Sequence, residues 1–459
     1  MAQDLNLSPM AEQLLAQVTG DVNKSFTTGT NFGGVDQTGA AALRRQSLAD
    51  DVKNLTYGDE DFTIFPIIPR IQANSTVEEY AIQTGYGEAG PSRFVREMAI
   101  SSINDPDLER KVVKMKIISD TKRQSLLSAV VNNLADPAQV LQDSAIHVVA
   151  KTIEYGLFFG DADLSAVGSG QGTQFDGLEK LAAKENILDM RGQALSEQNL
   201  NSAAVAIAKG FGKPTDAFMP IGAHTEFVNN QLNRQWIVQA TGVNESGFML
   251  DSFRSVRGPI ALHGSTIMDQ DVILDESVAG GLQAPSAPVK VEASAAAGAG
   301  KFQEADKAAA LEYRVRAVGD GMAASVSVPA TVAVTDVKDE VTLKVTLSAI
   351  SQALPEFVEI YRLDVETGQF FLIGRVGTYQ AQAGVVTFVD KNETIPGTAK
   401  AFVMDMSTRT LGLYELLPMM RLDLAQVDAS RTFTTLWAGA LAVFAPKRVA
   451  VLKNIAYAH

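Results

Sequence analysis

The stretch DPAQVLQDSAIHVVAKTIEYGLFFGD, residues 136–161, predicts one long helix. Asp136 is a favourable N-cap, Pro137 suits the first helical position, and Gln139 is placed to complete a capping box. Gly160 marks the other end. A helix of about 23 residues is about 35 Å long at 1.5 Å per residue. An element of this length can hold several parts of a domain together.

Four ionisable residues of this helix fall on one narrow stripe. Asp143, His147, Lys151 and Glu154 stand at i, i+4, i+8 and i+11. An acid beside a histidine resembles catalytic chemistry, but Asp143 with His147 is also the i,i+4 pair found on solvated helix faces. We expect the stripe to face solvent and the helix to act as a strut. The rest of the circumference is apolar: Leu141, Ala145, Ile146, Val148, Val149, Ile153 and Leu157.

The chain before this helix contains segments that cannot bury themselves. Residues 1 to about 24 have a short amphipathic helical pattern, and SFTTGTNFGGVDQTGA (25–40) is typical of an extended arm. The stretch FTIFPIIPRIQANSTVEEYAIQTGYGEAGPSRFVREMAI (62–100) predicts two strands joined by a glycine-rich turn. This hairpin has little apolar content of its own, so its partner surface is expected on another molecule.

The chain after the helix predicts two further bodies. Residues 195 to 285 alternate helical segments with short strands, an α/β pattern. The Ala-, Gly- and Pro-rich stretch VAGGLQAPSAPVKVEASAAAGAGK (278–301) is typical of a domain junction. Short alternating strands follow, ending at GVVTFVD (384–390), and their spacing predicts a β-sandwich. YRVRAVGDGMAASVSV (313–328) is similar to a strand and loop of a fibronectin type III domain, although the usual sandwich tryptophan is absent. Because the earlier character returns after residue 397, the sandwich is predicted to be an insertion.

Composition excludes several classes of function. The 459 residues carry 39 Lys and Arg against 53 Asp and Glu, a net charge of −14, which argues against a broad nucleic-acid-gripping face. The absence of cysteine removes disulfides and thiolate sites, and the four histidines are far apart in sequence. Neither a signal peptide nor a bilayer-spanning apolar run is present. We therefore expect a soluble protein of at least two domains, kept in a reducing compartment.

Motifs that carry chemistry are incomplete throughout the chain. GSGQG (168–172) lacks the third glycine of a dinucleotide loop, and AGAGKF (297–302) lacks both the leading glycine and the final Ser or Thr of a P-loop. DADLSAVGSGQG (161–172) begins like a calcium loop but has Ala166 at the glycine position and Gly172 at the glutamate position. We therefore predict no catalytic, cofactor-binding or metal-binding residues, no cofactor and no enzymatic activity.

Several segments in order resemble a known family. STVEEYAIQTGYGEAGPSRFVREM (75–98), SDTKRQSLLSAVVNNLADPAQVLQDSAIHVVAKTIEYGLFFGDADL (119–164) and ELLPMMRLDLAQVDASRTFTTLWAGALAVFAPKRVAVLKNI (415–455) resemble the major capsid proteins of large contractile-tailed bacteriophages. The resemblance extends over nearly the whole chain. It implies an α+β chain with the Hong Kong 97-type phage capsid fold, which consists of an N-arm, an E-loop hairpin, a spine helix, and peripheral and axial domains, here with an inserted immunoglobulin- or fibronectin III-like β-sandwich.

Carried onto this sequence, the resemblance implies six parts. They are an N-terminal segment, 1–24; an N-arm, 25–54; an E-loop, 55–105; a peripheral domain, 106–195 and 397–459; an axial domain, 196–285; and the inserted sandwich, 286–396, on the outer surface. Removal of the first segment by a prohead protease on maturation implies a cut between Lys24 and Ser25.

The resemblance also bears on how subunits are joined. In the type member of the fold, a lysine on the E-loop forms an isopeptide bond with an asparagine of a neighbour. No lysine occurs between Lys53 and Lys111, so this hairpin cannot start such a bond. Non-covalent contacts must replace it, and the predicted assembly-interface residues are Tyr86, Arg93 and Arg96.

The function that the resemblance implies is self-assembly into pentamers and hexamers of an icosahedral head around packaged double-stranded DNA. The expected location is the virion capsid, assembled in the cytoplasm of the bacterial host. Implied partners are other copies of the chain, a portal, a scaffold, a prohead protease and minor or decoration capsid proteins, with weak non-specific DNA contact and no membrane. Two alternatives stay open: a carbohydrate-active enzyme with an accessory sandwich, and a surface decoration or adhesin protein that binds through the sandwich.

Overall fold

The computed structural model describes most of the chain from Gly58 onward. The described residues are 58–87, 94, 96–98, 105–130, 136–164, 172–231, 250–270, 273–275, 285–307, 310–319, 322–348, 355–365, 367–426 and 429–457. The predicted segments 1–24 and 25–54, and with them Lys24 and Ser25, lie outside these residues. The described part confirms the predicted α+β class, with more strands than helices.

The helices of the described part are short, apart from one. They are α1 (Leu126–Val130), α2 (Pro137–Phe159), α3 (Leu178–Leu181), α4 (Glu197–Lys209), α5 (Ile221–Gln231) and α6 (Ile267–Gln270). The strands up to the sandwich are β1 (Arg70–Gln72), β2 (Val77–Gly85), β3 (Asp107–Lys114), β4 (Lys116–Ser125), β5 (Ile187–Ala194), β6 (Asp216–Pro220), β7 (Ser252–Ser255) and β8 (Gly258–Ser265). The remaining strands are β9 (Lys290–Ala297), β10 (Leu311–Gly319), β11 (Met322–Ala323), β12 (Ala330–Val332), β13 (Asp339–Thr346), β14 (Phe357–Leu363), β15 (Phe370–Gly377), β16 (Val385–Asp390), β17 (Thr398–Met404), β18 (Leu411–Asp423), β19 (Ser430–Val443) and β20 (Val449–Ala456).

The predicted long helix is α2, and it packs against a four-stranded sheet. The sheet has the order β1-β18-β19-β4, and α2 contacts β4 and β19. Val149, Ile153 and Leu157 of the helix are fully buried there, next to the fully buried Trp437 of β19. Burial of each such side chain stabilises the fold by roughly 1.5–3 kcal/mol. The helix ends at Gly160, where a Cβ would lie 2.4 Å from the carbonyl oxygen of Phe175.

The polar stripe of α2 was predicted to face solvent, and this prediction is wrong for Glu154. Glu154 has no exposed surface, whereas Asp143 is exposed and His147 is partly buried. The solvent-facing row of the helix is instead Ser144, Val148 and Thr152. The physical reason is that residues 62–65 cover Glu154, and the helical pattern alone does not reveal that cover.

A second layer is built on a six-stranded sheet of order β5-β20-β17-β6-β8-β7. Helix α4 buries Leu200, Ala203, Ala204 and Ile207 against it, at the i, i+3, i+4 and i+7 positions of one helix face. The N-cap Ser196 accepts a hydrogen bond from the Asn199 amide. The α/β pattern predicted for residues 195 to 285 therefore appears as helices on a mixed sheet.

The segment 397–459 pairs with strands of both sheets, and its assignment to one peripheral domain with residues 106–195 stays a prediction. Strands β17 and β20 pair with β5 and β6 in the six-stranded sheet, whereas β18 and β19 pair with β1 and β4. The returning chain therefore contributes to both layers. Hydrophobic alternation identifies a strand but not its partner, because the partners lie far away in sequence, as Trp437 and Ile118 do, and both layers offer apolar faces.

Residues 290–390 form two sheets over a shared core, and their identity as an inserted β-sandwich stays a prediction. One sheet has the order β16-β13-β9; the other has β11-β10-β14-β15, with β12 also on β10. Val315, Leu343 and Ile360 are fully buried between the two sheets. Edge strand β9 lies within the stretch predicted to be a junction. The relation of these two sheets to immunoglobulin or fibronectin domains stays a prediction.

Polar contacts attach the sandwich to the rest of the described chain. The amide of Leu274 donates to the carbonyl of Phe370 at 2.9 Å. The guanidinium of Arg375 lies 5.2 Å from the ring centroid of Tyr155 on α2. Arg191 of β5 donates to the Lys301 carbonyl at 3.3 Å. Residues 290–390 therefore rest directly on α2, which we call the spine helix, and on the six-stranded sheet.

Candidate assembly surfaces

Strands β2 and β3 form a two-stranded hairpin, and its described residues contact the rest of the chain at the base of the hairpin. Val77 pairs with Lys114 and Gly85 pairs with Asp107. At the base, Tyr80 packs edge-on against Phe444, with ring centroids 5.0 Å apart. Burial there raises the pKa of the Tyr80 hydroxyl. The amide of Met115 also donates to the Thr76 carbonyl at 2.9 Å. A two-stranded sheet is marginally stable by itself, so this anchor is what defines its position.

One face of the hairpin is exposed and partly apolar. Leu108 is 68% exposed, Val112 51% and Val77 43%. The same face carries the ion pair between Arg110 and Glu79 at 3.0 Å. The returning strand ends at Lys114, so the predicted E-loop range 55–105 stops before it. An exposed apolar row on a thin hairpin is typical of a surface that another molecule covers.

Two of the predicted interface residues, Tyr86 and Arg96, lie in the connection between strands β2 and β3. Tyr86 is 83% exposed and Arg96 is also exposed; Arg93 lies outside the described residues. Two apolar side chains that the sequence prediction missed, Phe94 and Met98, are 97% and 99% exposed. Their apolar character was the available signal, since they flank the charged residues that were chosen. Whether Tyr86 and Arg96 bind a neighbour stays a prediction.

The ends of strands β18 and β19 form a second exposed surface. The first residues of β18 are buried, whereas its last four, 420–423, are largely exposed. Leu417, Met420 and Leu422 are each between 39% and 44% exposed. The sheet thus extends beyond its own core, and its far end presents apolar side chains to solvent.

Two clefts flank the spine helix. One, of about 350 Å³, is lined mainly by apolar side chains, among them Phe62, Ile146 and Trp437. His147 and Asp59 both line this cleft, and the Nε2 atom of His147 lies 3.3 Å from Asp59 Oδ1. Glu154 holds the cleft wall: its carboxylate accepts from both the amide and the hydroxyl of Thr63 at 2.7 Å.

The other cleft, of about 360 Å³, lies between the spine helix and the sandwich. Its charges are paired internally: Lys400 binds Glu179 at 2.6 Å, and Lys180 binds Asp163 and Asp176 at 2.6 and 2.9 Å. Burial lowers the pKa of Lys180, but hydrogen bonds to these carboxylates more than offset it, so that pKa lies above its usual value. The cleft is therefore a polar junction between domains and offers no unpaired charge to a ligand from these lysines.

No group of three or more His, Asp or Glu side chains among the described residues is arranged to hold a metal ion. No helix of the part that the structure describes has the length and apolar character needed to cross a bilayer.

Sequence comparison gives close relatives over the full length. The chain is 46% identical over 452 residues to the putative major capsid protein of Enterococcus phage phiEF24C, covering 97% of both chains. It is 45% identical over 461 residues to the major capsid protein of Staphylococcus phage K, covering 100% of this chain and 99% of that one.

The chain belongs to the family of phage major capsid proteins. The family predicted from the sequence is thereby confirmed, and with it the location in the virion. The relatives match the sandwich as well as the flanking layers, since the alignments extend over the entire chain. No family model matches the sequence.

Comparison with solved structures gives likenesses at low sequence identity. A structure of Mycobacterium phage Ogopogo is similar with a TM-score of 0.45 and 10% identity, over 91% of this chain and 99% of that chain. The capsid of Myoviridae phage XM1 has a TM-score of 0.43 and 9% identity, over 92% and 100%. The encapsulin SrpI of Synechococcus elongatus has a TM-score of 0.42 and 9% identity, over 93% and 99%.

Proposed function

We propose that this capsid protein forms pentamers and hexamers, and that these close an icosahedral head around double-stranded DNA. The observation that carries the proposal is the β2–β3 hairpin, whose apolar outer face is exposed on the single chain. A neighbouring copy that covers this face would bury it. Contacts between different surfaces of identical chains close into rings and shells when the rotation closes.

The test is to express the full chain and image the product by cryo-electron microscopy. Closed shells built from five- and six-fold rings are the expected result. A monodisperse monomer at high concentration, with the hairpin folded back on its own body, would contradict the proposal. If the chain is instead a decoration or adhesin protein, it should remain a monomer at high concentration and bind to a separate surface.

The role is mechanical, and it uses no catalysis. Each subunit would be held by several moderate contacts, since standard interfaces bury about 1,600 Å² in total. Portal, scaffold and a prohead protease are the partners we propose for assembly, and minor or decoration capsid proteins for the finished head. The sandwich is the proposed site for decoration proteins, because it is attached to the spine helix by polar contacts and keeps exposed side chains such as Val328.

We propose weak, non-specific contact with packaged DNA. The net charge of −14 repels phosphates, so the duplex can move against the wall during packaging and ejection. Purified capsomers should show no binding to duplex DNA at moderate salt in a gel-shift assay. Tight binding with a steep salt dependence would count against this proposal.

Removal of residues 1–24 between Lys24 and Ser25 is part of the proposal. The basis is the change from an amphipathic helical pattern to the polar arm in the sequence. Intact-mass spectrometry of subunits from mature heads should give chains that begin at Ser25. Chains that begin at the first residue would overturn it.

A further inference from the structure

Helix α4 ends in a Schellman motif with an aromatic residue at the position that glycine usually occupies. The amide of Gly212 donates to the Ile207 carbonyl at 3.0 Å, and the amide of Phe211 donates to the Ala208 carbonyl at 3.0 Å. These two bonds define the motif and require a left-handed residue between helix and exit. That residue is Phe211, with φ of +61°. Residues with a side chain rarely adopt this conformation, and such strain is often retained for function.

The loop that presents Phe211 is held tightly on both sides. A Cβ on Gly210 would lie 2.6 Å from the Lys447 carbonyl oxygen, and a Cβ on Gly212 would lie 2.7 Å from Ile207 Cγ2. Arg448 Nε donates to the Gly210 carbonyl at 3.4 Å. The backbone is therefore fixed by close packing, while the Phe211 side chain is 86% exposed. The ring is positioned outward and gains nothing from the fold of its own chain.

Cations surround the exposed ring. Lys209, Lys213 and Lys447 are exposed, and a second exposed apolar residue, Val256, lies in the nearby turn between β7 and β8 with 80% exposure. Arg257 of that turn donates to the Gly212 carbonyl at 3.5 Å. We define the Phe211 patch as Lys209, Phe211, Lys213, Val256, Arg257, Lys447 and Arg448.

The patch differs in charge from the chain as a whole. Lys447 has Glu185 at 3.9 Å. No carboxylate of the described residues lies within ion-pair distance of Lys209 or Lys213. The whole chain has an acidic excess of 14, so the surface outside the patch is more acidic still. A basic patch on an acidic molecule is complementary to other copies of that molecule.

We propose that the Phe211 patch docks on a neighbouring copy of this chain, with the Phe211 ring in an apolar recess and the cations on an acidic rim. The proposal rests on the proposed function, because the neighbour is another subunit of the same shell. An aromatic anchor surrounded by charges is the usual composition of an interface hot spot. Contact with DNA would also use the cations, and it is one outcome of the tests below.

The substitution Phe211→Gly separates docking from folding. Glycine adopts a left-handed backbone without strain, so the thermal midpoint of the isolated subunit should equal or exceed that of the wild type. The concentration at which shells form should nevertheless rise about tenfold, because a hot-spot side chain is lost. If Phe211 serves folding alone, the substitution should lower the thermal midpoint and leave the concentration at which shells form unchanged. Val328→Gly, which removes an 82% exposed apolar side chain on the sandwich, is the matched control and should assemble like the wild type.

A second variant tests the charges. The pair Lys209→Gln and Lys213→Gln removes both charges without placing an anion at the C-terminus of α4, so the thermal midpoint should change little. Assembly should weaken, more at low salt than at high salt. A photoreactive phenylalanine analogue at position 211 should cross-link two subunits, and the linked peptide should lie in an acidic surface of the second copy. The assay is light scattering against concentration, with electron microscopy of the products.

The outcomes are distinct. Shells from Phe211→Gly at the wild-type concentration, or no cross-link between subunits at position 211, would overturn the docking proposal and leave the proposed function intact. Normal assembly of the lysine variants with loss of retained DNA would overturn it in favour of DNA contact. Failure of the wild type and of Val328→Gly to form shells would instead contradict the proposed function.

Discussion

Glu154 connects the spine helix to the segment that precedes the hairpin. Its fully buried carboxylate accepts hydrogen bonds from the amides of Ile64 and Phe65 at 3.3 and 3.2 Å, in addition to the amide and hydroxyl of Thr63. Glu154→Ala would leave these donors without an acceptor, at a cost of about 3 kcal/mol in the free energy of unfolding. Urea unfolding of the dissociated subunit measures this loss.

Two comparisons sharpen that prediction. Glu154→Gln keeps one carbonyl oxygen for the Thr63 and Ile64 donors but turns an amide group toward the Phe65 amide, so its loss should be smaller than that of alanine. Thr152→Ala, on the exposed face of the same helix, should change stability by no more than about 0.5 kcal/mol. Equal losses for Glu154→Ala and Thr152→Ala would contradict the role of the carboxylate.

Glu359 makes the stability of the sandwich depend on pH. Burial raises the pKa of this carboxyl, but Arg375 and Arg316 more than offset burial, and the pKa lies below its usual value. The arginines approach to 3.0 and 2.8 Å. A folded-state pKa below the unfolded value stabilises the fold fully above the unfolded pKa of about 4.3, and this contribution is lost as the pH falls through the folded pKa.

Glu359→Gln should therefore lower the thermal midpoint at neutral pH, and the gap from the wild type should narrow as the pH falls below about 4. Differential scanning fluorimetry of both proteins across this range measures the gap. Glu304→Gln, at an exposed position, is the control and should follow the wild type. A gap that stays constant down to acid pH would show that the carboxylate charge contributes nothing.

Glu154 and the Phe211 patch show what a local sequence pattern does not predict. The spacing of Asp143, His147 and Glu154 correctly places them on one side of a helix. Periodicity gives the angular position of a residue, but not what covers it. Glu154 is buried by residues 62–65, about 90 positions earlier in the chain. The Phe211 patch was missed for a similar reason, since its cations come from three separate segments.

At the scale of elements, the sandwich has the properties of an independent domain. Its sheets share a core of their own. Inside it, Arg362 is paired with Asp390 at 2.7 Å, and Asp390 also accepts from the hydroxyl of Tyr313 at 2.9 Å. Residues 285–396 expressed alone should unfold cooperatively in urea, as followed by circular dichroism. Val341→Asp, which places a charge in the core, should abolish that transition; a fragment without a cooperative transition would contradict independence.

The outer face of the hairpin gives a prediction about assembly. Leu108→Asp and Val112→Asp together should leave the thermal midpoint of the isolated subunit unchanged, because both side chains are exposed. Shell formation should weaken at least tenfold if a neighbour covers this face, since charges there would be buried without partners. Glu109→Gln, on the opposite face of the same strand, is the control. Light scattering at equal concentration compares shell formation by the double variant with that by Glu109→Gln, and equal scattering would contradict the prediction.

Most elements were predictable, but their partners were not. The strands β10, β13, β14, β15 and β16 lie in the stretch between the junction and residue 390 where alternation predicted short strands. Strand β9 was missed because alanine has a low strand propensity, and its alternation of Glu292 and Ser294 outward with Val291 and Ala293 inward is faint. The division of 397–459 between two sheets depends on long-range pairing that no local pattern encodes.

At the scale of the whole molecule, the family was evident from the order of segments along the chain, whereas the chemistry of its interfaces was not. The predicted residues Tyr86 and Arg96 are exposed in the connection between strands β2 and β3. The apolar side chains Phe94 and Leu108, which the prediction passed over, are 97% and 68% exposed and would be buried by a neighbour that covers them. The sequence prediction favoured charged residues, whereas the apolar surface area removed from water contributes more to association.

The lack of a lysine between Lys53 and Lys111 leads to a prediction for the assembled head. An isopeptide bond that starts from the hairpin needs a primary amine there, and the hairpin strands supply only Lys111 and Lys114, at its anchored base. Subunits of a mature head should therefore separate completely in hot detergent and run as a single subunit-sized band on a denaturing gel. Exposed apolar contacts also make the shell sensitive to urea, which should dissociate it without any change in subunit mass. A ladder of covalent dimers, pentamers and hexamers would mean that another lysine supplies the bond, and mass spectrometry of the linked peptides would identify it.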